Sequence, residues 1–345
     1  MIPIQNIYYM LSYAFQVLNE QGYKNIATEQ FNNTGELMAA ILEKGIAIQI
    51  KRGLGKEYIP QTEALSSLRG KIDIAESIKT QSMLRKQLIC TYDEFSVNSI
   101  MNRIIKSTVE LLLRSNISKQ RKKNLRKLMV YFSEVDFIDL YTVNWNVQYN
   151  RNNQTYRMLI SICYLVVKGL LQTQSNGHTK LMDFLDEQRM CRLYEKFILE
   201  YYRREFKNQI TANASQIPWQ LDNEENSLLP VMQSDIMLQS GEKVLIIDAK
   251  YYEHSTQVQF DKHTLHSGNL YQIFTYVKNK EYELREKDHT VSGMLLYAKT
   301  DEAIYPNNVY QMSGNQITVR TLDLNLLFDE IAGQLNTIAK THFDL

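Results

Sequence analysis

Two acidic residues and a lysine in the stretch Leu228–Lys250, LLPVMQSDIMLQSGEKVLIIDAK, have the types and spacing for metal-assisted chemistry on a phosphate. The stretch reads as two strands, VMQSDIMLQ and VLIIDAK, joined by a tight turn at SGEK. Asp235 falls inside the first strand, and Asp248 and Lys250 close the second. Side chains alternate across a strand, so Asp248 and Lys250 share one face and Ala249 takes the other. Pairing as a hairpin would bring Asp235 beside Asp248. Magnesium prefers hard oxygen ligands at about 2.1 Å and commonly takes one or two carboxylates while keeping several waters. Asp235, Asp248 and the main-chain carbonyl of Ala249 or Lys250 are therefore candidate magnesium ligands. Lys250 would place positive charge beside an attacked phosphate. The plainer alternative is a surface hairpin whose Asp and Lys meet solvent or each other. Against it, the four apolar residues Val244–Ile247 mark a buried strand that ends at Asp248.

The neighbouring elements must position this group. EQRMCRLYEKFILEYYRREF repeats Met190, Leu193, Tyr194, Phe197, Ile198 and Tyr201 at spacings of three and four, which predicts a helix with one face on a core. Glu195 lies on the shoulder of that face, able to turn toward the metal or to stay in water. NLYQIFTYVKN predicts a second helix, with Leu270, Ile273, Phe274 and Val277 toward the core. Gln272 and Tyr276, four apart, share another face and are within reach of the lysine or of a nucleic-acid backbone. Strand-like SGMLLYAK and QITVRTLDL follow, and LNLLFDEIAGQLNTIAK closes the chain as an amphipathic helix. Helix, strand, strand, helix, strand, strand, helix is the order of an α/β mixed sheet flanked by helices. Between the hairpin and the second helix, YYEHSTQVQFDKHTLHSG reads as a polar loop. Its His254, His263 and His266 lack the further ligands a zinc site needs.

The first half is organised differently. IPIQNIYYMLSYAFQVL predicts an amphipathic helix capped by Asn6, with Tyr8, Tyr9 and Tyr13 for core packing or a partner surface. After a linker from Glu20 to Asn33, TGELMAAILEKG predicts a helix from a Thr34 cap to a Gly45 stop. Strand-like IAIQIKRGL, EYIPQTEAL and QLICTY, with a short helix around Ile74–Gln81, complete a mixed α+β region over residues 1–97. RGLGK lacks the spacing of a phosphate-binding loop. NSIMNRIIKSTVELLLRSN, SKQRKKNLRKLMVYF and TYRMLISICYLVVKGLLQ predict a helical linking region over 98–180. The middle helix carries Lys119, Arg121, Lys122, Lys123, Arg126 and Lys127, a solvated face or a surface for nucleic acid or an acidic partner. QTQSNGHTK, with a turn at Asn176-Gly177, marks the boundary before a domain of residues 181–345.

The 345 residues are 44% hydrophobic, which fits a globular chain of two or three domains. The net charge of +1 hides an asymmetry, since residues 1–180 carry 23 Lys and Arg against 14 Asp and Glu, and residues 181–345 carry 16 against 24. An acidic half holding the site has little long-range attraction for a phosphate backbone, so a DNA substrate would call for help from another subunit. No run reaches the roughly 20 apolar residues of a membrane span, and no signal segment opens the chain, so a cytoplasmic protein without a membrane partner is expected. Cys90, Cys163 and Cys191 form no C-x-x-C pair and are expected as buried free thiols.

Glu195 on a helix, Asp235 and Asp248-Ala249-Lys250 on a hairpin, and Gln272-x-x-x-Tyr276 on the next helix resemble the PD-(D/E)xK nuclease superfamily. IPIQNIYYMLSYAF, NRIIKST, LLPVMQSDI, LIIDAKYY and HSGNLYQIFTY together resemble the McrC family, the nuclease subunits of modification-dependent restriction systems, through essentially the whole chain. The resemblance implies a carboxy-terminal restriction-endonuclease-like domain that cuts double-stranded methylated DNA with Mg2+. It also implies an amino-terminal part that docks onto, and stimulates, a hexameric McrB-like AAA+ GTPase, with GTP bound by that partner and two copies of this chain meeting for double-strand cleavage. Carried over, Asp235, Asp248, Ala249 and Glu195 would hold the metal, and Lys250, Gln272 and Tyr276 would complete the catalytic group. Gln233-Ser234-Asp235 lacks the proline of the superfamily's name, which is not a ligand. A stand-alone repair nuclease of the same superfamily and a non-catalytic DNA-binding adaptor are the alternatives.

Overall fold

The computed structural model describes residues 2–19, 23, 26, 29, 31, 33–150, 153, 155–175, 187–223, 228–252, 257–259, 262–299 and 305–345. The chain forms two compact units, one of Met1–Ala27 with Leu185–Leu345 and one of Thr28–Phe184. This division differs from the expected segments 1–97, 98–180 and 181–345. The first helix, α1 (Ile4–Ala14), belongs with the carboxy-terminal unit because its tyrosines pack there. The Tyr13 ring lies 5.6 Å from Phe197, 5.3 Å from Tyr201 and 5.8 Å from Phe328, and its hydroxyl donates to Glu205 at 2.9 Å. Asn6 does not cap the helix. It sits buried in the first turn after Pro3 and donates to the carbonyls of Leu324 and Leu326, each at 2.8 Å. A contact spanning some three hundred residues leaves no trace in local periodicity.

The unit Thr28–Phe184 opens with α2 (Thr34–Arg52), capped by the Asn33 side chain rather than Thr34. Gly45 does not end it. Ile41, Leu42, Gly45, Ile46 and Gln49 are all buried at helical spacing, so the expected strand IAIQIKRGL is the last turns of α2, which stop at Gly53 with φ 93°. Burial of this continuous face outweighs the modest cost of an interior glycine. β1 (Glu57–Leu65), β2 (Lys71–Asp73) and β3 (Leu88–Ser96) form an antiparallel sheet in the order β1-β3-β2, with α3 (Ile74–Lys79) between β2 and β3. α4 (Ile100–Arg114), α5 (Lys119–Met129) and α6 (Tyr156–Ser175) pack with α2 in the same unit. Among the six cations of α5, Arg121 is turned inward. It pairs with Glu29 at 2.8 Å, Glu43 at 2.9 Å and Glu36 at 3.6 Å, leaving the others to form the charged face. The expected turn at Asn176-Gly177 lies outside the described residues.

The other unit is a mixed sheet flanked by helices. After α7 (Glu187–Glu205) come β4 (Thr211–Asn213), β5 (Gln216–Ile217), β6 (Met232–Gln233), β7 (Ile236–Ser240) and β8 (Lys243–Lys250). β9 (Gln257–Gln259) and β10 (Lys262–Thr264) pair as a small hairpin inside the stretch expected to be a loop. α8 (Ser267–Leu284), β11 (Thr290–Ala298), β12 (Asn308–Met312), β13 (Asn315–Leu322) and α9 (Phe328–Phe343) complete the unit. The sheet order is β12-β13-β11-β8-β7-β4, with β8, β11 and β13 parallel and the outer strands antiparallel. A parallel centre must be covered on both faces, which is why Val244–Ile247 is uniformly apolar. Val244, Ile246, Leu295, Ile317 and Val319 meet Ile273 and Val277 of α8. Met190, Tyr194, Phe197, Ile198 and Tyr202 bury the core stripe of α7, and the Tyr202 hydroxyl donates to the Leu335 carbonyl of α9 at 2.9 Å.

α8 can sit this close to the sheet because β11 carries Gly293. A Cβ there would lie 2.8 Å from Ile273 Cγ1, 2.8 Å from Ile317 Cδ1 and 2.9 Å from Val277 Cγ2. Gly293→Val should therefore destabilise this unit by about 1–3 kcal/mol through overpacking. Urea unfolding of the variant measures this, and a midpoint equal to wild type would show that α8 and β11 do not meet as described.

Candidate active site

The hairpin of β7 and β8 turns at Gly241-Glu242, with Gly241 at φ 56° in the first central position, where two-residue turns demand a positive φ. Ile236 pairs with Ile247, so the register carries Asp235 directly across from Asp248. Asp235 itself lies in the bend between β6 and β7, not within a strand as expected from sequence. That break frees its carboxylate to fold over the end of β8, where Oδ2 accepts from the Ala249 amide at 3.0 Å. Asp248 and Lys250 share a face, and Lys250 Nζ stands 2.8 Å from Asp248 Oδ2.

Asp248 is 1% exposed, yet neither of its oxygens receives a well-aligned hydrogen bond from the described residues. Lys250 is in ion-pair contact with one of them but out of line for a hydrogen bond. Burial, partly offset by Lys250 and reinforced by the Asp235 carboxylate, pushes the Asp248 carboxyl up to about 7. Burial works against the charge of Lys250, but the Asp248 carboxylate outweighs it and holds the ammonium above its ordinary range. The pair is thus short of positive charge and of donors at the same point.

α8 lays a polar rail beside the lysine. Gln272 Oε1 accepts from Lys250 Nζ at 3.3 Å, and Gln272 Nε2 donates to the Tyr276 hydroxyl at 2.9 Å. Their four-residue spacing put both on one face, as the sequence indicated. Asn269, one turn earlier, was not singled out. It accepts from the Tyr252 hydroxyl at 3.3 Å and donates to the Tyr297 hydroxyl at 2.9 Å, tying α8 to the ends of β8 and β11. Its signal was its place three residues before Gln272. His266 precedes α8 with its ring 5.3 Å from Tyr252. His254 lies outside the described residues.

Glu195 projects from α7 toward this group. Burial first, and then the Asp235 carboxylate, raise its pKa, while the Cys191 thiol donates to Oε1 at 3.0 Å. Burial and Glu195 push the Cys191 thiol up to about 12, so it stays protonated as a donor. Cys90 and Cys163 are buried free thiols. Among the described residues no three His, Cys, Asp or Glu side chains gather as a metal cage, so Glu195 does not join Asp235 and Asp248 in one tight cluster. Two carboxylates, one of them buried, suit magnesium, which keeps waters. They do not suit zinc, which seeks a full set of nitrogen or sulfur ligands. No helix among the described residues is long and apolar enough to cross a membrane.

This helix-flanked mixed sheet, with Asp248 and Lys250 at the end of β8 and Asp235 across from them, has counterparts among known proteins. Residues 5–298 match the family described as McrBC 5-methylcytosine restriction system component, and the chain belongs to that family. It is 31% identical over 329 residues to the Type IV methyl-directed restriction enzyme EcoKMcrBC of Escherichia coli (strain K12), covering 94% of this chain and 93% of that protein. Among solved structures, a half-complex of Thermococcus gammatolerans McrB AAA+ hexamers with bound McrC aligns over 97% of this chain and 76% of its own, at 18% identity and a TM-score of 0.48. The Thermococcus gammatolerans McrBC complex aligns over 59% of each chain, at 21% identity and a TM-score of 0.42.

A carboxylate pair short of positive charge should respond to a divalent cation. Magnesium is expected to raise the thermal midpoint of the purified chain, corresponding to about 2.7 kcal/mol at 100 times its dissociation constant, and Asp248→Asn to remove the response. Calorimetry with and without the ion checks this, and a wild-type midpoint indifferent to magnesium contradicts it.

Proposed function

We propose that this chain is the magnesium-dependent DNA endonuclease subunit of a GTP-driven restriction complex directed at 5-methylcytosine. The observation that carries this is the buried, unbonded Asp248 carboxylate beside Lys250 and across from Asp235. Family membership supplies the biological setting. Asp235, Asp248 and the Ala249 carbonyl would hold the metal, with Glu195 entering from α7. Magnesium, when bound, supplies positive charge to a phosphodiester and its attacking water. Lys250 offers its ammonium to a non-bridging phosphate oxygen, where negative charge grows as water attacks phosphorus in line with the departing O3′. Gln272 holds Lys250 in line from one side, and Tyr276 fixes the Gln272 amide so that its oxygen faces the lysine. Asn269, Tyr252 and Tyr297 keep α8 in place above the strand ends.

The family setting assigns recognition of the modified base and binding of GTP to a separate AAA+ ring, and RGLGK lacks the spacing of a nucleotide loop. In this chain the Gly55 amide of that segment instead donates to the Tyr156 hydroxyl at 2.7 Å. The unit Thr28–Phe184 would dock to the ring. It exposes Tyr58, Leu84 and Phe95 in and beside its sheet together with the cations of α5. Two copies of the chain would meet to cut both strands.

Asp248→Ala should reduce cleavage of methylated DNA by about a hundredfold or more while leaving ring binding and GTPase stimulation intact. Gln272→Ala should reduce it less, with binding unchanged. The assays mix the chain with its GTPase partner, GTP, magnesium and methylated duplex, omitting each in turn. Cutting by Asp248→Ala at the wild-type rate would refute the site, and cutting without ring or GTP would favour a stand-alone nuclease.

A further inference from the structure

The same strands that carry the active site have a second, differently furnished face. Leu296 of β11 is in register with Ala249 and with Arg320 of β13, so Leu296, Arg320 and Leu322 face away from Asp248, Lys250 and Tyr297. Between this face and α9 lies a cleft of about 610 Å³, lined by Leu296, Lys299, Tyr305, Arg320, Leu322 and Gln334 among others. That volume is in the range of small-molecule sites, and the cleft stands at the carboxyl ends of parallel strands, where α/β sheets commonly take ligands.

Its polar groups are unevenly committed. Lys299 is paired with Asp323 Oδ2 at 2.6 Å and lies 4.7 Å above the Tyr305 ring. The other Asp323 oxygen accepts from the Asn325 amide at 3.0 Å. Glu330 turns back to the start of its own helix and accepts from the Leu327 amide at 3.1 Å. Asp323 is therefore occupied at both oxygens and Glu330 at one. Arg320 is not. Among the described residues its buried Nε has no hydrogen-bond partner and no carboxylate pairs with its guanidinium. The Tyr202 hydroxyl donates to the Leu335 carbonyl and takes no hydrogen bond from Arg320 Nε. Gln334 accepts from the Asp323 amide at 3.3 Å through Oε1, leaving its buried Nε2 without an acceptor. Two buried donors, one on the sheet and one on α9, one of them charged, have no acceptor among the described residues.

We infer that this cleft binds a small organic oxyanion, a phosphate ester or a carboxylate, received by the Arg320 guanidinium and Gln334 Nε2. A guanidinium takes such groups through two parallel N–H bonds, which a planar or tetrahedral oxyanion satisfies and a lone water does not. Leu296, Leu322 and Tyr305 give the rest of the ligand an apolar bed, and the volume exceeds what a bare inorganic ion fills. The site lies on the opposite face from the metal group and is independent of the proposed nuclease chemistry.

Isothermal titration of the full-length chain at constant ionic strength, with a nucleoside 5′-monophosphate, a dicarboxylate and inorganic phosphate as probes, tests this. One organic probe should bind saturably and more tightly than inorganic phosphate, and which one binds tells ester from carboxylate. Arg320→Gln should weaken that binding about tenfold or more, and Gln334→Leu severalfold. Urea unfolding establishes that each variant folds, and Gln334→Leu carries the test if Arg320→Gln does not. Absence of saturable binding, inorganic phosphate binding as tightly as the organic probes, or binding indifferent to the variants that fold would overturn the inference.

Discussion

The register between Ile236–Ser240 and Lys243–Lys250 governs everything else in this unit. Side chains alternate along a strand, so a slip of one residue would send Asp248 and Lys250 to the face covered by α7 and α9 and strand two charges in an apolar layer. The two-residue turn at Gly241-Glu242 fixes the pairing at one end. At the other, the break before β7 lets Asp235 reach the Ala249 amide, so the carboxylate that closes the site also clamps the register. Glycine is needed at 241 because a residue with a Cβ resists the positive φ that the turn demands.

Around this hairpin the fold accepts a locally unfavourable arrangement. A carboxylate that is 1% exposed and lacks hydrogen bonds is costly, and one lysine relieves only part of it. The surrounding elements hold it in place nonetheless. α8 presses on Gly293 and extends Gln272 and Tyr276 toward Lys250, while α7 is backed by Tyr13 of α1. Rigid apolar packing thus supports a polar centre that is incomplete on its own.

Much of this was visible in the residues. Asp235, Asp248 and Lys250 stood out because an apolar run ending in a charge, read with strand alternation, leaves few arrangements open. The helices α7 and α8 announced themselves by periodicity, and Gln272 and Tyr276 by their spacing. What escaped was non-local. Gly45 resembled a helix stop, but a continuous buried face carried α2 through it to Gly53. Asn6 resembled a cap, but its partners are the carbonyls of Leu324 and Leu326, at the far end of the chain. Arg121 looked like one of six surface cations until three glutamates converged on it. The link between Asn269 and Tyr297 depends on which strands become neighbours, and no local pattern encodes that.

The central claim is that Asp235 and Asp248 together define a site for a divalent cation. Crystals of the chain grown with manganese, a surrogate favoured by the same oxygen ligands, would place the ion directly through its anomalous signal. The account predicts a peak between the two carboxylates, about 2.1 Å from an oxygen of each, with the Lys250 ammonium close by. A map with no peak there, or with Asp235 turned away while the ion sits elsewhere, would contradict it.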